Sequence, residues 1–273
     1  MQKIVFTDLD GTLLNNESKV SDYTANFLKH FTSLGNKLVL SSGRSLPSII
    51  KVKDDNKLDI PGVYIIATNG TLIYDCDTKK SIYESRLNLD DVSLIWEMAN
   101  KAGIHIQTYT DDELIVPEID KETTYYTVRC PLPVICSKDP VSALSKPPCK
   151  MLLIDLDNKQ KLIDFCKILE EKFPHLITLF SNDYYVEIID RKAGKGSGLK
   201  WLCNYLNIPV SDSFAFGDAP NDISMIEAAG TGVAMQNADK EVLEIADKIT
   251  ENNNNSDGLA HFLEKVLKIE PFS

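Results

Sequence analysis

In Lys3-Ile4-Val5-Phe6-Thr7-Asp8-Leu9-Asp10-Gly11-Thr12 an apolar, β-prone run stops abruptly at two acids and a glycine. An uninterrupted apolar run of this kind predicts a strand buried on both faces, as in a parallel sheet, with the acids beyond its carboxyl end. Working outward, residues 21–34 carry Tyr23, Phe27, Leu28, Phe31 and Leu34 at helical spacing, with Ser21 as N-cap and Gly35 as the stop. Residues 37–40 form a second buried strand that ends in Ser41-Ser42-Gly43-Arg44. A helix opens at Ser45, and residues 63–67 form a third strand ending at Asn69-Gly70. Strands alternating with helices predict an open α/β sheet.

The rhythm then changes. A hairpin is expected across residues 71–84, followed by strands and helices in mixed order and a proline-rich irregular stretch at residues 131–148. From Gly194 the first pattern returns: a helix (198–206), a strand (213–216), Gly217-Asp218, and a helix from Asn221. The reading is therefore an α/β fold, a Rossmann-like open parallel sheet built from residues 1–85 and 186–273, with an α+β domain inserted at 86–185. Ligands of open α/β sheets bind beyond the carboxyl ends of the strands. Asp8, Ser42, Asn69 and Asp218 all fall at such ends.

Composition narrows the function. A net charge of −11 argues against a nucleic-acid partner, because binding phosphate backbones needs clustered Lys and Arg. No apolar run approaches the roughly 18–20 residues that span a bilayer, so no membrane association is expected. Asp8 and Asp10 interrupt the N-terminal apolar run too early for an export signal, and a cytoplasmic location is the expectation. The six cysteines form no C-x-x-C pair and are read as reduced, with no metal site among them.

Asp8-Leu9-Asp10-Gly11-Thr12 matches D-x-D-G-T, and Gly217-Asp218-Ala219-Pro220-Asn221-Asp222 matches G-D-x-x-N-D. With Ser42-Gly43-Arg44, Asn69-Gly70 and Gly194-Lys195-Gly196 between them, the chain resembles the haloacid dehalogenase superfamily, and within it the Cof-type subfamily IIB phosphatases. The resemblance runs over essentially the whole chain. It implies a magnesium-dependent phosphatase for small phosphorylated metabolites such as sugar phosphates, acting through an aspartyl phosphate. Asp8 would be the nucleophile. Asp10 would protonate the leaving oxygen and then deprotonate the attacking water. Mg2+ would be held by Asp8, the Asp10 carbonyl and Asp218, with Asp222 orienting those ligands from behind. Ser42, Lys195 and Asn221 would bind the phosphoryl group, and Arg44 and Asn69 would border the substrate pocket.

Each assignment has a plainer competitor. Asp222 could be a helix-start carboxylate, Ser42 a helix cap, Lys195 a solvated loop residue, and Asn69-Gly70 a hairpin turn. Asp155-Leu156-Asp157 repeats the acidic text without Gly-Thr and is read as a strand end before a helix. The inserted domain resembles a C2-type cap, which would close over the site and exclude water. His105, Tyr109, Tyr125, Tyr126 and Arg129 are its polar candidates. A phosphomutase using the same intermediate, or a non-catalytic phosphometabolite-binding regulator, are the alternative functions. Neither the physiological substrate nor the oligomeric state is legible.

Overall fold

The computed structural model describes residues 2–111 and 113–269. The extreme ends of the expected core segments, residue 1 and residues 270–273, lie outside the described residues. In chain order the strands are β1 (Ile4–Thr7), β2 (Lys37–Ser41), β3 (Val63–Ala67), β4 (Leu72–Asp75), β5 (Lys80–Glu84), β6 (His105–Tyr109) and β7 (Leu114–Val116). They continue with β8 (Val134–Cys136), β9 (Met151–Ile154), β10 (Leu176–Phe180), β11 (Tyr185–Asp190), β12 (Ser213–Gly217), β13 (Thr231–Ala234) and β14 (Lys248–Ile249).

One compact unit comprises the chain up to Tyr83 and from Gly194 onward. Its sheet has the order β14-β13-β12-β1-β2-β3-β4-β5. From β14 to β3 neighbouring strands are parallel, and β4 returns antiparallel to β3. The apolar runs are unbroken because both faces are covered. Val5, Leu38, Leu40, Val63 and Ile65 enter one core cluster, while Ile4, Phe6, Val39, Tyr64 and Ile66 enter another on the opposite face. The first helix, Asp22–Ser33, begins where the sequence indicated: the Ser21 hydroxyl accepts from the Thr24 amide.

Chain order reverses between β1 and β12, which lie side by side in parallel register with Thr7 opposite Phe216. The crevice of an open α/β sheet sits at such a reversal, beyond the strand carboxyl ends. Asp8 follows β1 and Asp218 follows β12, so the topology brings the two acidic motifs together.

The other unit runs Glu84–Ala193 and has its own sheet, β10-β11-β9-β6-β7-β8. Ile106, Met151, Leu153, Val186 and Ile188 pack with helices Leu89–Ala102 and Lys159–Lys172 on one face. The expected inserted span 86–185 stops short: β11 pairs antiparallel with both β9 and β10, and the unit continues to Ala193. Besides β11, two elements of this unit fall in stretches read as irregular or left unassigned. Helix Lys121–Arg129 is capped by the Asp120 carboxylate, and β8 lies within the proline-rich segment. Val134–Cys136 is too short, and too flanked by proline, to register as a strand from local pattern. In the Asp155 look-alike, the carboxylate accepts from the Asp157 and Asn158 amides, and Asn158 caps the next helix. It closes a turn.

Candidate active site

Beyond β1 the chain closes a tight turn, with the Leu13 amide on the Asp8 carbonyl and the Leu14 amide on the Leu9 carbonyl. Leu9, Leu13 and Leu14 are buried in the core and anchor that turn, while the acids on either side of Leu9 meet different environments. The Asp8 side chain is 9% exposed and that of Asp10 57% exposed. Gly11 has φ +81°, a backbone region costly for residues with a Cβ, and a Cβ there would lie 2.3 Å from an Asp218 carboxylate oxygen. The glycine of D-x-D-G-T is thus required by the approach of the second acidic motif.

Lys195 is the first residue of helix Lys195–Tyr205, three residues earlier than the expected start. Its side chain is fully buried, and Nζ donates to Asp8 Oδ1 and to Asp222 Oδ1, each at 2.6 Å. Burial alone would lower the lysine's proton affinity. The Asp222 and Asp8 carboxylates outweigh it and hold Lys195 above its usual value, so it remains a fixed cation. The solvated-loop reading of Lys195 fails. Asp222 does stand at a helix start, before Ile223–Ala228, but it is buried rather than exposed, and besides Lys195 it accepts at its second oxygen from the amides of Asp218 (3.1 Å) and Ala219 (3.2 Å). With both oxygens engaged, Asp222 braces the lysine and the Asp218 loop at once.

Asp218 accepts at Oδ1 from the Thr12 hydroxyl at 2.7 Å. Asp8, Asp218 and Asp222 each offer a carboxylate oxygen within 4.8 Å of the other two. Burial raises Asp8 to about 7; Lys195 opposes that rise, and the neighbouring Asp222 and Asp218 reinforce it. Burial likewise raises Asp218 to about 6, against the Thr12 hydrogen bond and with the repulsion of Asp222. Three carboxylates facing one ammonium leave two negative charges uncompensated, and the donors are all oxygen. That combination fits a hard divalent cation such as Mg2+, which takes few carboxylate ligands. Asp8 and Asp218 retain coordinating capacity, whereas the oxygens of Asp222 are already used.

Arg44, expected at the substrate pocket, grips Asp10 instead: Nε donates to Oδ2 at 2.8 Å and Nη2 to Oδ1 at 2.5 Å. The Ser42 hydroxyl accepts from the Arg44 amide, and Ser45, rather than Ser42, stands at the N-cap of the following helix. Asn69 adopts φ +53° in the short connection between β3 and β4, so this is a hairpin turn, though a buried one. Its amide donates to the Ser42 carbonyl and its side chain lies against Gly43. At Gly70, φ +97°, a Cβ would lie 2.2 Å from the Gly194 carbonyl oxygen. Asn69-Gly70 therefore abuts the residue from which Lys195 springs, a packing role that local turn chemistry did not reveal. Asn221 is half-buried beside Asp222, and among the described residues it is not a hydrogen-bond partner of Lys195.

The motif gives Thr12 no role by itself; the hydroxyl two residues past Asp10 is the local signal, and its partner Asp218 is supplied by the fold. In the Glu84–Ala193 unit, His105 contacts Asp120 (2.7 Å) and Gln107 (3.2 Å), Arg129 stacks on Tyr125, and Tyr109 and Tyr126 are buried edge-to-face. These groups are satisfied within that unit. No helix among the described residues is long and apolar enough to cross a membrane.

The chain matches the haloacid dehalogenase-like hydrolase family over residues 5–263. It is 30% identical to 5-amino-6-(5-phospho-D-ribitylamino)uracil phosphatase YwtE of Bacillus subtilis, with 97% of this chain and 98% of that protein covered. Phosphatase YwpJ of the same organism is 29% identical over 97% of this chain and 100% of its own length. A haloacid dehalogenase-like hydrolase from Bacteroides thetaiotaomicron, solved by crystallography, shares the fold with a TM-score of 0.85 at 28% identity, covering 97% and 100% of the two chains.

Proposed function

The chain belongs to the haloacid dehalogenase-like hydrolases and is a phosphatase; from that premise we propose that it hydrolyses small phosphorylated metabolites in two steps through Asp8. The observation that carries this reading is the buried Lys195 ammonium shared between Asp8 and Asp222, with Asp218 beside them. Phosphate monoesters are so inert that enzymes supply accelerations of up to about 10²¹-fold, and dividing the displacement lowers each barrier.

In the first step an Asp8 oxygen forms a bond to phosphorus as the bond to the leaving oxygen breaks, and Asp10 gives that oxygen a proton. In the second, Asp10 takes a proton from water, whose oxygen displaces Asp8 from phosphorus and releases inorganic phosphate. The Asp8 and Asp218 carboxylates and the Asp10 carbonyl would hold Mg2+, which supplies charge neutralisation for an anionic nucleophile meeting an anionic ester. Lys195 contributes a permanent positive charge to the same task, in a buried site where it counts for more than in water. The Ser42 hydroxyl and Asn221 are assigned to phosphoryl oxygens, and Asn69 and the Nη1 edge of Arg44, which Asp10 does not use, to the substrate border.

The substrate class is assigned as sugar or polyol phosphates, supported by the relative whose name specifies a phosphoribityl compound. The test is release of inorganic phosphate from a panel of phosphorylated metabolites, with and without magnesium, for wild type and Asp8→Asn. Release that survives in the variant would remove Asp8 as nucleophile. Transfer between two positions of a sugar phosphate, without release, would make the protein a mutase.

A further inference from the structure

The run Asn252-Asn253-Asn254-Asn255 reads in sequence as a polar surface loop, but its amides are directed at the turn that carries Asp8 and Asp10. Asn254 Nδ2 donates to the Leu14 carbonyl at 2.8 Å, and Asn255 Oδ1 accepts from the Asn16 amide at 2.9 Å. The Asn254 backbone N–H donates to Asn237 Oδ1 at 3.1 Å, and Asn237 Nδ2 in turn donates to the Gly11 carbonyl at 2.8 Å. Asn237 lies in the loop after β13, and two residues on, the Asp239 amide donates to the Asp218 carbonyl at 2.8 Å. Thr250 fastens the two loops together, accepting from the Gln236 amide and donating to the Asn252 carbonyl.

One short loop is thus bonded to the Gly11 carbonyl on one side and to the Asp218 carbonyl on the other. Those carbonyls belong to the two segments whose carboxylates converge. A peptide group is planar, so holding the Gly11 carbonyl also sets the opposing Thr12 amide, which closes onto the Leu9 carbonyl. Thr12 then presents its hydroxyl to Asp218.

Exposed neutral hydrogen bonds of this kind add little net stability, because water competes for both partners. Their concentration on one turn is better explained by geometry. Asn suits the position chemically. It donates to one carbonyl and accepts from an amide with the same planar group, and it brings no charge to a cation site. Aspartate would set an acceptor against the Gly11 carbonyl, and lysine would compete with the cation.

We propose that Asn237, braced by Asn254, is a positioning residue that sets the separation of the Asp8 and Asp218 segments and thereby the affinity of the site for a divalent cation. This rests on the metal-assisted phosphatase reading above. The test measures magnesium binding to the metal-free protein by calorimetry, alongside kcat and KM for an aryl phosphate at saturating magnesium. The proteins are wild type, Asn237→Ala, Asn254→Ala and a stability control, Phe31→Leu, on the buried face of the first helix.

Groups that orient metal ligands typically change affinity by about 10–100-fold. The expected result for Asn237→Ala is a magnesium Kd raised about 10-fold, a lower kcat and a KM within about two-fold of wild type, with a smaller shift for Asn254→Ala. Phe31→Leu should lower Tm and leave the magnesium Kd unchanged. Should Asn237→Ala fail to fold, Asn237→Ser, whose hydroxyl is too short to span from the Asn254 backbone N–H to the Gly11 carbonyl, carries the comparison. An unchanged magnesium Kd in the asparagine variants, or an equal weakening in Phe31→Leu, would overturn the inference while leaving the phosphatase reading intact. Wild-type protein that binds no magnesium would overturn both.

Discussion

Replacing Asp8 with asparagine should make the metal-free protein more stable. Asp8 is buried against Asp222 and Asp218, and its folded-state pKa stands at about 7 against a reference of 3.8. An acid raised in this way binds its proton more tightly in the folded state than in the unfolded one. The stability it contributes is therefore fully present at low pH and is lost as pH rises from about 4 through 7. The whole shift corresponds to about 4 kcal/mol at 1.36 kcal/mol per pKa unit. Side-chain relaxation and the imperfect fit of an amide reduce what Asp8→Asn would recover to about 2 kcal/mol, or about 5 °C in Tm for a chain of this size. The opposing term is the Asp8–Lys195 ion pair, but Lys195 keeps Asp222 at 2.6 Å when Asp8 is neutralised. No unpaired buried charge results, and the repulsion among carboxylates decides the sign.

The assay is thermal unfolding in chelator, at pH values of about 4.5 and 7.5, for wild type and Asp8→Asn. The variant should gain on wild type only at the higher pH, while phosphate release falls to background. Adding magnesium at about 100-fold over its Kd should lift wild type by about 2.7 kcal/mol and restore or invert the order. A variant less stable than wild type in chelator near neutral pH would refute the reasoning, by showing that the Lys195 pair outweighs burial and repulsion.

Three other outcomes follow from the same geometry. Asp10→Asn should leave phosphorylation by an aryl phosphate largely intact, because that leaving group needs no proton, while slowing the water step. The check is a burst of aryl alcohol equal to the enzyme concentration followed by slow turnover, and unchanged steady-state rates would count against the role of Asp10. Asp222→Asn must turn its amide nitrogen toward either Lys195 or the Asp218 and Ala219 amides, so a buried donor loses its acceptor. Denaturant unfolding should register a loss of about 2 kcal/mol, together with a fall in kcat. Gly70→Ala would set a methyl group into the Gly194 backbone at an unfavourable φ, and should lower stability by about 3 kcal/mol and kcat with it, read by Tm and phosphate release.

Local pattern was enough for the architecture. Parallel strands covered on both faces cannot alternate polar and apolar residues, so Ile4–Thr7 and Val63–Ala67 stand out as unbroken apolar runs whose ends mark the ligand crevice. Helix Asp22–Ser33 announced itself through Ser21 and Gly35, because capping chemistry is local. The acidic motifs were legible for the same reason: each is a strand end followed by a turn that only certain residues can make.

What the sequence alone left open was decided by groups that meet across long separations. Lys195 and Asp8 are partners only because β1 and β12 are adjacent, and the choice of Lys195 over a solvated loop lysine depends on burial that no local pattern reports. Asp222 as a two-sided brace, Arg44 on Asp10, and Gly70 against Gly194 are likewise tertiary facts. β11 follows β10 in a short antiparallel hairpin, a local signal, but its pairing with β9, which ties the end of the inserted unit into its sheet, is non-local. Strand ends and caps are encoded within a few residues. Which carboxylates meet is decided by a sheet order, and that belongs to the whole chain.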